Sequence, residues 1–338
     1  VIAREVDVPE HPNIRILEHG ANGAAGSLRL RLAVIKAAGR ASYDAAHAVD
    51  ASVIFVCRVF RLKKTKLIYD ASRCLSGNAG QSPSWPWKAF PSLSQGMEKR
   101  ALREVALVLS PCVSLVADME KLVPDARVRI LEDVPLQSLR APLGLERSDL
   151  LRRFGDRSAS AIVCGVLPES SVETRTLLKA ARKLLESIPD VAFFFSGAGI
   201  GEAERMAVNL DIRGRCVFLP PDQVDEFLSA LEFADAAVLI FPPETRYPPS
   251  EVFTLLRSSA ALVVVHDGAC DGVLTDENSV RALSNAASIA ESMARVIREP
   301  LFSLGVAMAG QQLVADTYSM SSFKHKLRMF YHEVLTNV

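Results

Sequence analysis

Apolar residues along this chain fall into two alternating rhythms. Short runs rich in Val, Ile, Leu and Phe, such as "SAIVCGVL", "VAFFFSG" and "AAVLIF", are separated by longer stretches in which apolar positions recur every three or four residues. The first rhythm is that of a strand buried on both faces, the second that of a helix with one buried stripe. In the first half the pattern predicts strands at 13–19, 43–50, 65–72 and 107–112, helices at 25–40, 51–64 and 93–106, and the pair of segments within 127–136. The Gly-, Pro- and Ser-rich stretch 77–92 reads as loop. A second series predicts strands at 160–167, 191–199, 215–220 and 236–243, alternating with helices at 172–188, 201–212 and 224–234. A proline-marked loop, a helix and a buried strand follow within "YPPSEVFTLLRSSAALVVVHD" (247–267), and helices are predicted at 285–300 and 321–337.

Strands alternating with helices predict an α/β chain with parallel sheets. At 338 residues the chain exceeds one ordinary core, so two domains are expected. The boundaries predicted are an N-terminal domain over 1–145, a second over 146–315, and a C-terminal helix, 316–338, returning to the first. The segment 137–149 reads as the linker. Nothing points to an internal repeat.

Composition narrows the chemistry. Apolar content is 49% and charged content 23%, which is globular. Lys plus Arg equal Asp plus Glu at 39 each, so nucleic acid is not an expected partner. No apolar run approaches the roughly 20 residues of a membrane span; peripheral membrane association stays open. The six cysteines lie scattered without metal spacing, which reads as a reduced, cytoplasmic protein. No metal site is read from the sequence, and neither Walker A nor GxGxxG is present; "GANGAAG" (20–26) matches neither.

Several segments, in order, carry a resemblance. "YDAAHAVD" resembles a D-x-x-H-x-x-D strand end, "KLIYDAS" a strand usually ending Tyr-Asp-Ala-His-Glu, and "EKRALREVALVLSPC" a helix-strand pair. "RVRILEDVPL" looks like the strand before an interdomain linker. "IVCGVL", "AFFFSGAG", "PPSEVFTLLRSSAALVVV" and "VADTYSMSSFKHKLRMFYHEVL" continue the series. Together they resemble GT-B glycosyltransferases, specifically family 4 retaining enzymes. The resemblance implies two facing Rossmann-like doubly wound domains, with the C-terminal helix crossing back to the first. It implies transfer of a sugar from a nucleotide-diphosphate sugar to an acceptor, in polysaccharide or glycolipid synthesis. The nucleotide sugar is then substrate, and no cofactor is expected. The acceptor is not legible. The family's opening strand with its Gly-rich turn has no counterpart here, and the chain begins at Val1, so the N-terminal domain is expected to be truncated at its start.

The resemblance also nominates residues. On the donor side it points to Gly165, Gly197, Gly199, Glu244, Ser250, Glu251, Val252, Phe253 and Thr254; on the acceptor side of the cleft, to His47, Asp70, Ser72 and Arg73. The glycines allow tight strand-to-helix turns, and Ser250 is a plausible N-cap. Each of these also has an ordinary structural reading as a turn, a core position or a solvated charge.

At key places the chain departs from the family. Thr254 stands where the ribose-binding glutamate is expected, Arg246 where its partner glutamate is expected, and Ser72 where a histidine is expected. Glu251 occupies a position often held by lysine, and "PESSVET" brings Glu169 and Glu173 where a cation usually meets phosphate. Arg175 is the first base thereafter, and Glu244 is a candidate replacement for a lost glutamate. No catalytic residue can be assigned. A catalytically inactive glycosyltransferase-like binding or partner subunit is therefore the alternative, and a GT-B-shaped epimerase a more distant one.

Overall fold

The structure is a computed structural model and describes residues 2–3, 17–18, 44–48, 65–71, 91–138, 143–154, 159–242, 245, 248–265, 270 and 272–336. It divides into two units, the first comprising Val1–Glu132 with His325–Val338, the second Asp133–Lys324.

The described part of the first unit centres on four parallel strands in spatial order β3 (Ala45–Ala48), β4 (Lys66–Asp70), β5 (Leu107–Ser110) and β6 (Val128–Ile130). A further parallel pair joins β1 (Ile2–Ala3) to β2 (Leu17–Glu18). Leu67, Ile68 and Tyr69 are buried, as are Leu107, Val108 and Leu109. Consecutive buried residues on a strand mean both sheet faces are covered, which is why these runs do not alternate with polar residues. The helices Pro91–Glu104 and Val113–Leu122 flank β5 in the chain. The predicted helices 25–40 and 51–64 and residues 77–90 of the predicted loop 77–92 lie outside the described residues; Pro91 and Ser92, read as loop, open the helix Pro91–Glu104.

The second unit carries a six-stranded parallel sheet formed by β7 (Ala161–Leu167), β8 (Val191–Gly197), β9 (Cys216–Leu219), β10 (Ala236–Ile240), β11 (Ala261–Val265) and β12 (Val280–Arg281). Its spatial order is β12-β11-β10-β7-β8-β9. Counted within the unit this is 3-2-1-4-5-6, the doubly wound order whose direction reverses between the first and fourth strands.

Alternate residues of each strand feed separate cores on the two sheet faces. Val163, Phe193, Phe195, Val238 and Val263 face the helices Ser171–Ser187, Ile200–Asn209 and Ala286–Arg298. Ile162, Cys164, Phe194, Leu239 and Val264 pack with Leu150, Phe227 and Leu228, and with the helix Glu251–Arg257. The run Phe193–Phe195 shows the principle. Phe193 and Phe195 stack with centroids 5.7 Å apart on one face, and Phe194 meets Phe154 edge-on at 5.7 Å on the other.

The structure adds elements that periodicity did not reveal: the helices Val113–Leu122, Arg147–Arg152 and Pro300–Thr317, and the edge strand β12. The helix Pro300–Thr317 has no single apolar stripe. Val306, Gly310 and Val314 are buried while Leu301, Leu304 and Met308 are exposed. The resemblance treated 314–335 as one closing helix, whereas the chain breaks at Tyr318–Ser319. There Ser319 Oγ accepts from Ser322 N at 3.2 Å and starts the helix Met320–Thr336, as a capping serine does.

Candidate functional site

In a doubly wound sheet the crevice for a ligand opens beyond the carboxyl ends of the strands, where the strand order reverses. Here that is between β7 and β10, so the turns after Leu167 and after Ile240 flank it.

The turn after β8 packs tightly against the end of β7. Gly197 adopts a φ of +127°, and a Cβ there would stand 2.3 Å from the Leu167 carbonyl oxygen. At Gly199 a Cβ would come within 2.5 Å of Pro168 O and 2.8 Å of Thr174 Oγ1. Only glycine fits this approach. Gly165 lies earlier, buried inside β7 in register with Phe195 and Val238; an added Cβ would meet the Phe195 ring at 2.7 Å. Its lack of a side chain makes room for that ring.

After β7 the chain enters the helix Ser171–Ser187. Thr174 Oγ1 donates to Pro168 O at 3.1 Å, and the Ser170 hydroxyl bonds the carboxylate of Glu173, which is buried. A carboxylate in the first turn complements the helix dipole and puts the chain's own negative charge where an incoming anion would be held. Arg175 is exposed.

After β10, Thr245 N donates to Pro242 O at 2.8 Å, and the chain reaches the seven-residue helix Glu251–Arg257. Ser250 does not cap this helix through its side chain. Its backbone is helical (φ −59°, ψ −25°), and its hydroxyl turns to Glu251 Oε2 at 3.5 Å. A side-chain cap needs an extended backbone at that residue. The amides of Val252, Phe253 and Thr254 are already bonded to Pro249 O and Ser250 O. Glu251 is exposed, whereas Val252 and Phe253 belong to the core, with Phe253 4.3 Å from the Tyr318 ring centroid.

Thr254, at the position expected to hold a ribose-binding carboxylate, is buried and engaged within its own unit. Its Oγ1 accepts from Leu136 N at 2.9 Å, and its carbonyl accepts from Gln137 Nε2 at 3.0 Å. The hydroxyl thus fastens the segment Leu136–Ser138 to the helix. Glu244 and Arg246 lie outside the described residues.

In the first unit, His47 and Asp70 come together on neighbouring strands. His47 Nε2 lies 3.5 Å from Asp70 Oδ2, and His47 Nδ1 is 2.8 Å from the hydroxyl of Tyr331. Burial, reinforced by the Asp70 charge, pushes the Tyr331 phenol above its ordinary pKa, so it stays protonated. Sequence reasoning missed Tyr331, because no local pattern connects positions 284 residues apart. Glu333 on the same helix receives both Arg127 and Arg129 at 2.9 Å, and Lys326 pairs with Glu132 at 2.6 Å. These contacts account for the return of the last helix to the first unit. Ser72 and Arg73 lie outside the described residues.

Among the described residues no group of three or more His, Cys, Asp or Glu side chains could hold a metal ion. No described helix is long and apolar enough to cross a membrane.

No family model and no curated protein sequence matches the chain. Solved structures do. Sucrose-phosphate synthase from Thermosynechococcus elongatus superposes with a TM-score of 0.76 at 13% identity, covering 99% of this chain and 87% of that one. HepE from Anabaena, in complex with UDP and glucose, gives a TM-score of 0.66 at 15% identity over 94% and 85% of the two chains. A UDP-forming trehalose-phosphate synthase from Burkholderia xenovorans gives 0.63 at 10% identity over 94% and 80%. The chain therefore has the GT-B fold of glycosyltransferases, an α/β architecture with two parallel-sheet domains.

Proposed function

We propose that this protein is a glycosyltransferase that draws its sugar from a nucleotide-diphosphate sugar. The observation that carries the reading is the strand order of the second sheet, whose reversal point between β7 and β10 is flanked by the turns after Leu167 and Ile240, with the Gly197–Gly199 turn packed against the end of β7. Support comes from the likeness to HepE, whose structures hold UDP and UDP-glucose. In this reading the donor lies over the carboxyl ends of β7, β8 and β10. Its pyrophosphate is met by backbone in the turns, because the first turn of the helix Ser171–Ser187 holds Glu173 and not a cation. A retaining mechanism, family 4 membership and a polysaccharide or glycolipid acceptor extend the proposal by resemblance. So does a role for His47 and Asp70 on the acceptor side. The reading requires no cofactor.

A calorimetric titration of the full chain with UDP and with GDP tests it. A dissociation constant below about 1 mM for one of them is expected, since that corresponds to only about 4 kcal/mol. Absence of heat with both at millimolar nucleotide overturns the reading.

A second reading, a nucleotide-binding or partner subunit without transfer activity, is favoured by one specific observation. Position 254 is a threonine and so offers a ribose no carboxylate, and its hydroxyl accepts from Leu136 N. Nucleotide binding without release of UDP from UDP-glucose would select it; release lost on disabling the donor turns would exclude it.

A further inference from the structure

The helix Ser171–Ser187 ends just before the amino end of β8, and the helix Ala286–Arg298 ends beside it, where Arg298 Nη2 donates to Ser187 O at 3.3 Å. Between these ends and the edge strand β12 lies a cavity of about 580 Å³, within the roughly 300–1,000 Å³ typical of small-molecule sites. Its Ser187 and Arg298 wall stands at the amino-end side of the sheet, and its other wall is the edge strand β12, which β11 and β10 separate from the reversal point.

Three guanidiniums line it: Arg281, Arg295 and Arg298. Each offers five N–H donors in a planar fork, and few are occupied among the described residues. Arg281 Nε meets Asp276 Oδ1 at 3.3 Å, a pair whose carboxylate is 90% exposed. Arg295 Nε meets Glu299 Oε2 at 3.2 Å across one helical turn. Exposed pairs of this kind hold weakly and yield readily to a better anion. Arg298 donates to a backbone carbonyl and has no carboxylate partner among the described residues. Arg295 is held in place by stacking, its Cζ 3.9 Å from the Phe302 ring centroid. Ser187, Ser292 and the carboxylates of Glu291 and Glu299 complete the polar lining and suit hydroxyl groups of a ligand.

Planar guanidinium forks match phosphate oxygens in bidentate fashion, and three of them line this one cavity. We propose that this cavity is a binding site for a small phosphorylated anion, separate from the sugar-nucleotide crevice and independent of that reading. The phosphate belongs either to a free metabolite or to a lipid headgroup, and the chemistry recognised is the same.

The test is a low-salt calorimetric titration of the full chain with inorganic pyrophosphate, repeated on Arg281→Gln/Arg298→Gln and, separately, on Arg295→Lys. Arg295→Lys keeps the charge and loses only the fork, so it preserves the test if the double variant folds poorly. Wild type is expected to bind, and both variants to bind at least about tenfold more weakly, as bidentate guanidinium–phosphate contacts require. Binding of equal strength in all three proteins, or no heat at about 10 mM pyrophosphate, overturns the proposal. Co-sedimentation with phosphatidylglycerol vesicles, lost in the same variants, assigns the phosphate to a headgroup. Pyrophosphate binding without co-sedimentation assigns it to a free compound.

Discussion

Replacing Thr254 by Val removes one hydroxyl and almost no volume, so its consequence follows from one contact. The hydroxyl accepts from Leu136 N at 2.9 Å, in a partly buried position, and the Thr254 side chain lies in the core. Without an acceptor, the Leu136 amide keeps its desolvation penalty, which is about 1–3 kcal/mol for a buried orphaned donor. Partial access of water to this contact places the expected loss near the lower half of that range, about 1–2 kcal/mol. In a unit of this size each kcal/mol lowers Tm by about 2–4 °C, so thermal denaturation should register a fall of several degrees. Thr254→Ser keeps the acceptor and loses only a methyl, costing about 0.8 kcal/mol or somewhat more with the cavity it leaves. Calorimetry with UDP on the same variants separates anchoring from ligand contact. If the hydroxyl serves the fold alone, Thr254→Val weakens nothing but stability. Wild-type Tm in Thr254→Val would refute the anchoring role, and loss of UDP binding with unchanged Tm would show that the hydroxyl serves a ligand instead.

Other outcomes follow from equally local geometry. Gly197→Ala combines a left-handed φ with a Cβ 2.3 Å from Leu167 O, and at least about 2 kcal/mol of destabilisation is expected by denaturant unfolding; a neutral result would mean the turn has freedom to move. Tyr331→Phe removes the bond to His47 Nδ1, about 0.5–1.5 kcal/mol. Because burial and Asp70 raise the Tyr331 pKa above its ordinary value of 10.0, its stabilisation is complete below about pH 10 and is lost as pH rises through the higher folded value. Stability measured from about pH 8 to 11 should therefore fall less steeply in the Phe variant, and parallel curves would dismiss the linkage. Burial pushes the Cys216 thiol up to about 12, against an opposing effect of Arg213, and burial with Asp235 raises that of Cys164 further. Both should resist a thiol reagent at neutral pH until the protein unfolds, which labelling followed by mass spectrometry can decide.

Much of the second unit was readable because its strands announce themselves. Val191–Gly197 and Ala236–Ile240 are apolar on both faces, and only a strand between two helical layers needs that. The helix Pro300–Thr317 was not readable, since its buried side is set by Gly310 approaching Leu256, where an added Cβ would stand 3.0 Å from the carbonyl. The edge strand β12, two residues long, carries too few positions for any period to show. Among the site residues, the glycines at 197 and 199 were expected to shape a turn and do so. The N-cap role of Ser250 was not realised, because its backbone turns helical one residue early.

The order of apolar runs and helical stretches, by itself, determined that this is a parallel α/β chain, since burial on both sheet faces is written residue by residue into composition. The order of strands in space is not local information. It emerged only when β10 paired with β7, placing the reversal point and the candidate donor crevice together. The same holds for particular side chains: sequence showed a threonine where a carboxylate was expected, but the fold showed what that threonine does. Its hydroxyl meets an amide 118 residues away, a pairing that depends on the packed chain and on no pattern within either segment.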